Sequence, residues 1–246
     1  MREKINLNVF GHNVSYLSPN ETSSQNTNFE KEFNKMAALL SPFLQGEDMV
    51  YVDIGARDGD SILYLKPFLS RIKKLIAFEP NKEETVFFKE NLAMNNIDCD
   101  LYEFAIAEMT KDYDFYWDEK GRNGGVKTTE SSIGKWDKTK SFPAVCYDDL
   151  DSNLKEDLAK ANFIKVDTEG YDIKVLNQLL PAIKQSNPVI MIEWWPYVET
   201  QIAKFCNDNS FFVYDPQHNV MKEELNVSQR VDNLVLIPAS KIASIL

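Results

Sequence analysis

The amino-acid sequence predicts a doubly wound α/β fold, because short, continuous apolar runs alternate with segments of helical periodicity. The apolar runs lie near residues 49–54, 74–78, 99–106, 162–167 and 188–194, and helices fit near 58–66, 81–95 and 171–184. Strands that are apolar throughout are typical of a mostly parallel sheet covered by helices on both faces. After a helix over 197–208, the runs 211–214 and 234–237 are expected to close the sheet.

The segment before the first of these strands predicts a small amino-terminal extension over residues 1–48. Residues 5–17 alternate apolar and polar side chains around Gly11, which is typical of a β-hairpin, and residues 29–44 have the apolar period of a helix. We therefore expect one main domain over residues 49–246, preceded by a hairpin and a helix.

Residues 107–142 interrupt the alternation of strands and helices. This segment contains the run Gly-Arg-Asn-Gly-Gly at 121–125. Insertions of this size on a rigid scaffold often close over a site or recognise a substrate, so we expect a lid in which Arg122 contacts the substrate. The alternative is a solvated surface excursion.

Composition restricts the partners of the chain. Its 246 residues carry a formal net charge of -11, which argues against a nucleic-acid partner held by its phosphates. Three cysteines are too few for a disulfide framework, which favours free thiols in a reducing compartment. No apolar run approaches the length that spans a bilayer, and no signal core is present, so we expect a cytoplasmic protein without membrane contact.

One loop predicts a nucleotide site. The apolar run over 50–54 leads into a loop that holds Gly55 and Gly59, and roughly twenty residues later Glu79 ends a second apolar run. A carboxylate at this position can bind both hydroxyls of a ribose. Arg57 stands where a dinucleotide loop has its second glycine, which disfavours NAD. The loop and Glu79 together indicate an adenosine cofactor.

Acidic side chains follow several of the predicted strands. In an open parallel sheet, ligands lie beyond the carboxyl ends of the strands. The residues at these ends are Asp53, Glu79, Asp167 with Glu169, and Glu193. If the strand ending at Tyr214 also runs parallel, Asp215 and His218 join the same edge.

Three segments carry a family resemblance: Asp-Ile-Gly-Ala-Arg-Asp-Gly at 53–59, Ala-Phe-Glu-Pro-Asn at 77–81, and Ile-Lys-Val-Asp-Thr-Glu-Gly-Tyr-Asp at 164–172. They resemble the FkbM-type methyltransferases over roughly residues 49–195. These are S-adenosylmethionine-dependent enzymes, mostly O-methyltransferases acting on sugars and natural products. The resemblance implies the seven-stranded, Rossmann-like class I methyltransferase sheet. The chain departs from the family at Arg57, where the family usually has Asn, and at Asp172, where it usually has Glu.

The resemblance also implies roles for individual residues. Glu79 would bind the ribose hydroxyls of S-adenosylmethionine, and Asp53 would order the loop or contact the cofactor ammonium. The cofactor-binding residues are then Asp53, Gly55, Ala56, Arg57, Gly59, Glu79, Pro80 and Ala105. S-adenosylhomocysteine would be the product.

Asp167 and Glu169 are the first catalytic candidates, because they directly follow a strand and would face the transferable methyl. Alternatively, Glu169 caps the next helix and Asp167 bonds only to backbone. His218 is the third candidate, since its ordinary pKa lies near working pH, although a loop histidine is often merely solvated.

The acceptor site is expected at the end of the strand over 188–194. Glu193, Trp194 and Trp195, together with Arg122, are the predicted substrate-binding residues, and the alternative for the tryptophans is core packing. Asp167, Glu169 and Glu193 could also supply oxygen ligands to a divalent ion, but no metal site is assigned.

These observations predict O-methylation of a small hydroxylated acceptor, such as a sugar or a glycan or natural-product precursor. One alternative is an NAD-dependent Rossmann oxidoreductase. Another is a non-catalytic module that binds a sugar or a partner protein on the same fold. A nucleic-acid methyltransferase is disfavoured by the charge.

Overall fold

A computed structural model describes residues 2–18, 26–117, 124–126, 138–222 and 233–245. The chain divides into two compact units, Met1–Glu103 and Phe104–Leu246. The predicted hairpin extension therefore belongs to a larger unit that also contains the first α/β strands. No helix among the described residues is long and apolar enough to cross a membrane.

The first unit begins with the predicted hairpin. Strands β1 (Glu3–Val9) and β2 (His12–Ser18) pair antiparallel, and their turn has φ 48° at Phe10 and 84° at Gly11. Positive φ at both central residues matches the twist of paired strands. Helix α1 (Asn26–Leu40) follows and packs on β1. The hairpin and helix predictions are confirmed.

Three parallel strands complete the first unit, in the order β3 (Met49–Ile54), β4 (Ile72–Phe78) and β5 (Asp100–Tyr102). Every residue of β3 is buried, as expected for a strand covered on both faces. Helices α2 (Asp60–Leu63) and α3 (Lys82–Met94) connect them. The predicted helix over 58–66 is shorter, because a 3₁₀ turn containing Pro67 follows at Lys66–Arg71.

The second unit begins with a small mixed sheet. Its strands are β6 (Ala105–Ile106), β7 (Lys111–Trp117), β8 (Gly124–Val126) and β9 (Lys138–Val145), in the order β6-β9-β7-β8. The predicted strand over 99–106 is therefore wrong as one element, since β5 and β6 belong to different sheets. The described part of the 107–142 insertion is sheet, and Arg122 lies outside the described residues.

The remaining elements of the second unit alternate helix and strand. In chain order they are α4 (Ser152–Leu158), β10 (Phe163–Val166), α5 (Asp172–Gln178), α6 (Leu180–Ser186), β11 (Val189–Glu193), α7 (Glu199–Asn209), β12 (Phe211–Asp215), β13 (Val220–Lys222), β14 (Asn233–Pro238) and α8 (Ile242–Ile245). The predicted helix over 171–184 is two helices, because Pro181 in the first turn of α6 lacks the N–H that a continuous helix needs.

These strands lie in the order β10-β11-β14-β12-β13. Strands β10 and β11 are parallel, whereas β14 is antiparallel to both β11 and β12. Strand β12 therefore runs in the same direction as β11. The doubly wound α/β fold with a mostly parallel sheet is confirmed. The sheet is not purely parallel, because β14 and β13 run antiparallel to their neighbours, and β13 is an edge strand beyond the seven expected.

Gly59 is required by packing. Its φ is 82°, and an added Cβ would lie 2.8 Å from Leu92 Cδ1 and 3.0 Å from Phe88 Cδ2. We expect Gly59→Ala to lower the free energy of unfolding by about 2–4 kcal/mol, from backbone strain plus overpacking. Gly11→Ala is the matched control, since Gly11 has φ 84° with nothing within 4 Å of an added Cβ. Urea denaturation of both variants tests this, and equal losses would contradict the packing role.

Candidate active site

The loop after β3 is held against β4 by its backbone. Gly55 N and Ala56 N donate to the Phe78 carbonyl oxygen at 3.0 and 3.1 Å, and the φ of 83° at Gly55 favours glycine there. Asp53 is fully buried and accepts a hydrogen bond from the Ser61 hydroxyl at the start of α2. This hydrogen bond joins the end of β3 to the start of α2, across the loop.

Both carboxylate oxygens of Glu79 accept backbone hydrogen bonds. Its Oε2 accepts from Arg57 N at 2.9 Å, and its Oε1 accepts from Asn81 N at 2.8 Å. Burial raises the pKa of Glu79 to about 7. Each carboxylate oxygen has a second lone pair, so the group can still accept one hydrogen bond at each oxygen. Two such acceptors on one rigid carboxylate fit a vicinal diol, as in the ribose of S-adenosylmethionine.

Arg57 has a left-handed backbone with φ 47°. Asparagine tolerates this conformation better than most residues, which accounts physically for the asparagine usual at this place in the resembling family. Burial disfavours the Arg57 charge, but the acids Asp58, Asp60 and Glu84 outweigh it and raise the pKa of the guanidinium. Arg57 therefore offsets part of the negative charge around the loop.

In the second unit, the structure brings three predicted acids together. Val166 of β10 is level with Ile192 of β11, so Asp167 and Glu193 follow at the same strand edge. Ligand oxygens of Asp167, Glu169 and Glu193 all lie within 4.8 Å of one another. This set could hold a divalent cation, although exposed acidic groups are common without one.

Each of these acids has distinct surroundings. Asp167 Oδ2 is 3.2 Å from Nζ of the buried Lys165. Glu193 Oε2 accepts from the Trp195 indole Nε1 at 2.7 Å. Burial, together with the charges of Asp167 and Glu169, raises the pKa of Glu193 to about 9. Glu193 is thus protonated at neutral pH and can donate a hydrogen bond.

The turn that carries Glu169 is built by a buried acid. Glu169 has φ 54° and Gly170 has φ 90°. Asp172 accepts from Thr168 N at 3.3 Å and Gly170 N at 3.1 Å, and burial raises its pKa to about 7. The N-cap residue of α5 is Tyr171, whose side chain makes no capping hydrogen bond.

His218 lies in the turn between β12 and β13, at the same edge of the sheet as Glu193. Its Nδ1 is 2.8 Å from Oδ2 of the fully buried Asp215. Asp215 Oδ1 accepts from Gln217 N at 3.0 Å and His218 N at 3.2 Å. If the Asp215 carboxylate is ionised, it only accepts, and the neutral ring would then carry its proton on Nδ1 and have its basic nitrogen at Nε2.

The chain matches a known protein family over most of its length. Residues 53–225 match the methyltransferase FkbM domain. The chain belongs to the FkbM methyltransferase family. It is therefore an S-adenosylmethionine-dependent methyltransferase, and the family assignment favours methyl transfer over the NAD-dependent alternative. No curated protein matches the chain.

Solved structures with the same fold are distant in sequence. The FkbM methyltransferase of Methylobacillus flagellatus KT is 13% identical, with 87% of this chain and 60% of that chain covered and a TM-score of 0.51. An rRNA methylase of Streptococcus thermophilus is 12% identical, covering 84% and 93%, with a TM-score of 0.45. The tRNA (uracil-54, C5)-methyltransferase of Pyrococcus abyssi, in complex with S-adenosyl-L-homocysteine, is 13% identical, covering 96% and 43%, with a TM-score of 0.47.

Other predicted site residues of this FkbM methyltransferase have varied surroundings. Trp194 is only 7% exposed, which favours core packing, whereas Trp195 is half-buried and 5.9 Å from the Tyr197 ring centre. Ala105 pairs with Ala144 of β9. Pro80 is buried beside Glu79.

Two residues that contact predicted site residues were not predicted from the sequence. Asn81 contacts Glu79, and Lys165 contacts Asp167. Only Asn81 had a usable signal, since it precedes two glutamates as a helix cap does, and its side chain accepts from Glu83 N at 3.1 Å.

The raised pKa of Glu193 predicts a pH-dependent stability. Its folded pKa of about 9 lies above the ordinary 4.5, so unfolding releases a proton between these values and the free energy of unfolding falls as pH rises. Glutamine does not titrate. We expect Glu193→Gln to gain stability relative to wild type from pH 6 to 8, by at most about 1.4 kcal/mol per pH unit.

Urea denaturation at pH 6, 7 and 8 measures this gain. Glu156→Gln, an exposed site on α4, is the matched control and should show no pH-dependent difference. A Glu193→Gln difference that stays flat with pH would contradict the raised pKa.

Proposed function

We propose that this methyltransferase transfers a methyl group to a hydroxyl of a small acceptor, a sugar or a glycan or natural-product precursor. The observation that carries the proposal is the Asp215–His218 pair. This pair lies at the same edge of the sheet as Glu193, the last residue of β11. A histidine oriented by a buried carboxylate is suited to take a proton from a hydroxyl. The neighbouring acids are suited to hold further hydroxyls.

The first unit supplies the predicted cofactor residues except Ala105, which lies in β6 of the second unit. Glu79 would accept hydrogen bonds from both ribose hydroxyls, and its two backbone donors would keep the carboxylate oriented. Gly55 permits close backbone approach, while Asp53 and Ser61 hold the loop. S-adenosylmethionine, when bound, supplies a methyl on a sulfonium, a strong electrophile that needs no activation by an acid.

The second unit supplies the predicted acceptor residues. The carboxyl groups of Asp167 and Glu169 would accept hydrogen bonds from hydroxyls, whereas Glu193, with its raised pKa, would donate one, so the cluster can orient a polyol through both kinds of bond. The half-buried Trp195 ring offers an apolar face of the kind that packs against sugars. Arg122 stays a predicted substrate contact.

His218 is the proposed general base, and Asp215 is its positioning residue. His218 Nε2 would take the hydroxyl proton as the acceptor oxygen receives the methyl group that S-adenosylmethionine would supply. Asp215 stabilises the imidazolium that forms, through its bond to Nδ1. Asp167 and Glu169, which were first candidates for this role, are assigned to acceptor binding because their oxygens cluster with Glu193.

The acceptor class is supported by charge. At a formal net charge of -11, the chain is poorly suited to phosphate-rich nucleic acid, and a small neutral acceptor agrees with the acidic cluster. A cytoplasmic location, without nucleic acid or membrane as partner, belongs to the same proposal.

Transfer of a labelled methyl group to a panel of sugars, sugar nucleotides and oligonucleotides tests the proposal. We expect label in hydroxylated small molecules and none in oligonucleotides. Cofactor binding without transfer to any of them would favour the non-catalytic alternative, and label in oligonucleotides would overturn the acceptor class.

A further inference from the structure

Arg2, at the start of the amino-terminal hairpin, contacts two acids and a ring. Its Nη1 pairs with Asp58 and its Nη2 with Glu84. The guanidinium lies 3.8 Å from the centre of the Phe87 ring. Only 11% of the Arg2 side chain is exposed. An arginine side chain is ordinarily solvated, so this burial indicates a defined position.

Asp58, the partner of Arg2, lies in the predicted cofactor loop and is fully buried. Its Oδ2 also accepts from the Tyr16 hydroxyl at 3.1 Å, and its backbone carbonyl accepts from Asn91 Nδ2 at 2.8 Å. A buried carboxylate without a counter-charge costs several kcal/mol, by the usual order of magnitude. Without Arg2, the loop could lower this cost by turning Asp58 towards solvent.

The preceding residue of the loop links Asp58 to Glu79. Arg57 N donates to Glu79 Oε2 at 2.9 Å, so the backbone just before Asp58 orients the carboxylate proposed to bind ribose. A shift of Asp58 would move that N–H. The position of Glu79 thus depends on the partner of Asp58.

We propose that Arg2 is a positioning residue for cofactor binding. Through Asp58 it holds residues 57–59, and so the Arg57 N–H, in the conformation that orients Glu79. The hairpin then forms part of the cofactor site without touching the cofactor. The inference rests on the proposed role of Glu79 in binding S-adenosylmethionine.

Calorimetric titration with S-adenosylhomocysteine tests this role in the full chain. Arg2→Met keeps the apolar stem and removes the charge, and we expect its dissociation constant to rise about tenfold or more. Arg2→Lys should recover part of the affinity. Lys4→Met is the matched control, because Lys4 is exposed on the same strand, and its affinity should match wild type.

A double variant separates positioning from loss of structure. Asp58→Asn removes the buried charge that Arg2 neutralises, so Arg2→Met with Asp58→Asn should bind more tightly than Arg2→Met alone. Thermal unfolding without ligand identifies a temperature at which every variant is folded, and the titrations are run there. Unchanged affinity in Arg2→Met, or no recovery in the double variant, would overturn the positioning role of Arg2 but not the proposed function. Wild-type protein that does not bind would overturn the proposed function as well.

Discussion

Glu79→Ala is expected to weaken binding of S-adenosylhomocysteine by about 100-fold or more, because two hydrogen bonds to a charged group contribute roughly 1.5–3 kcal/mol each. Alanine also leaves Arg57 N and Asn81 N without their acceptors. Glu79→Gln, which keeps one acceptor oxygen and the shape of the side chain, separates these effects and should also bind weakly.

Affinity should also depend on pH through Glu79. Its pKa of about 7 means that the free protein is increasingly protonated below neutral pH, whereas ribose hydroxyls favour the ionised form. Binding then requires release of a proton, and affinity should fall by up to about tenfold per pH unit below 7. Glu79→Gln should lose this dependence.

Isothermal titration at pH 6, 7 and 8 measures both effects. Glu90→Ala, an exposed glutamate on α3, is the control and should behave as wild type. If Glu79→Ala bound S-adenosylhomocysteine with wild-type affinity, the ribose role would be wrong.

His218→Ala should lower the rate of methyl transfer by about 100- to 10,000-fold, the usual contribution of a general base. Binding of S-adenosylhomocysteine should not change, since His218 acts on the acceptor in this proposal. His12→Ala is the matched control, because His12 is exposed on β2 and is the other of the two histidines in the chain. Turnover is measured with the acceptor that the labelled panel identifies.

Asp215→Asn tests the orientation of the His218 ring. An amide can donate to Nδ1, which would move the proton to Nε2 and remove the base. With two histidines in the chain, nitrogen NMR can resolve both rings and show which nitrogen carries hydrogen. Wild-type His218 protonated at Nε2, or full turnover in His218→Ala, would contradict the assignment.

Local patterns predicted much of the fold. The continuous apolar strands, the alternating hairpin and the acids after the strands all depend on nearby residues, and the pairing of Val166 with Ile192 brings Asp167 and Glu193 together as expected. The direction of β14 was not predictable, since strand pairing depends on distant partners. The break between α5 and α6 could have been read from Pro181.

The candidate site was likewise predicted only where local patterns determine it. Glu79 followed from its spacing after the glycine loop, but the partner of Asp58 lies 56 residues away, at Arg2. No local signal joins such a pair, because a long loop closure depends on the whole packed unit. Gly59 was expected for cofactor approach, whereas its neighbours Phe88 and Leu92 supply a packing reason for glycine.

The Trp195 indole, bonded to Glu193, offers a way to find the acceptor before its chemistry is known. A ligand that changes the charge or hydrogen bonding of Glu193 changes the electric field on this ring, and hence its fluorescence. Trp195→Phe gives the background from the other three tryptophans. Unlabelled compound libraries can therefore be screened by the intrinsic tryptophan fluorescence of the protein.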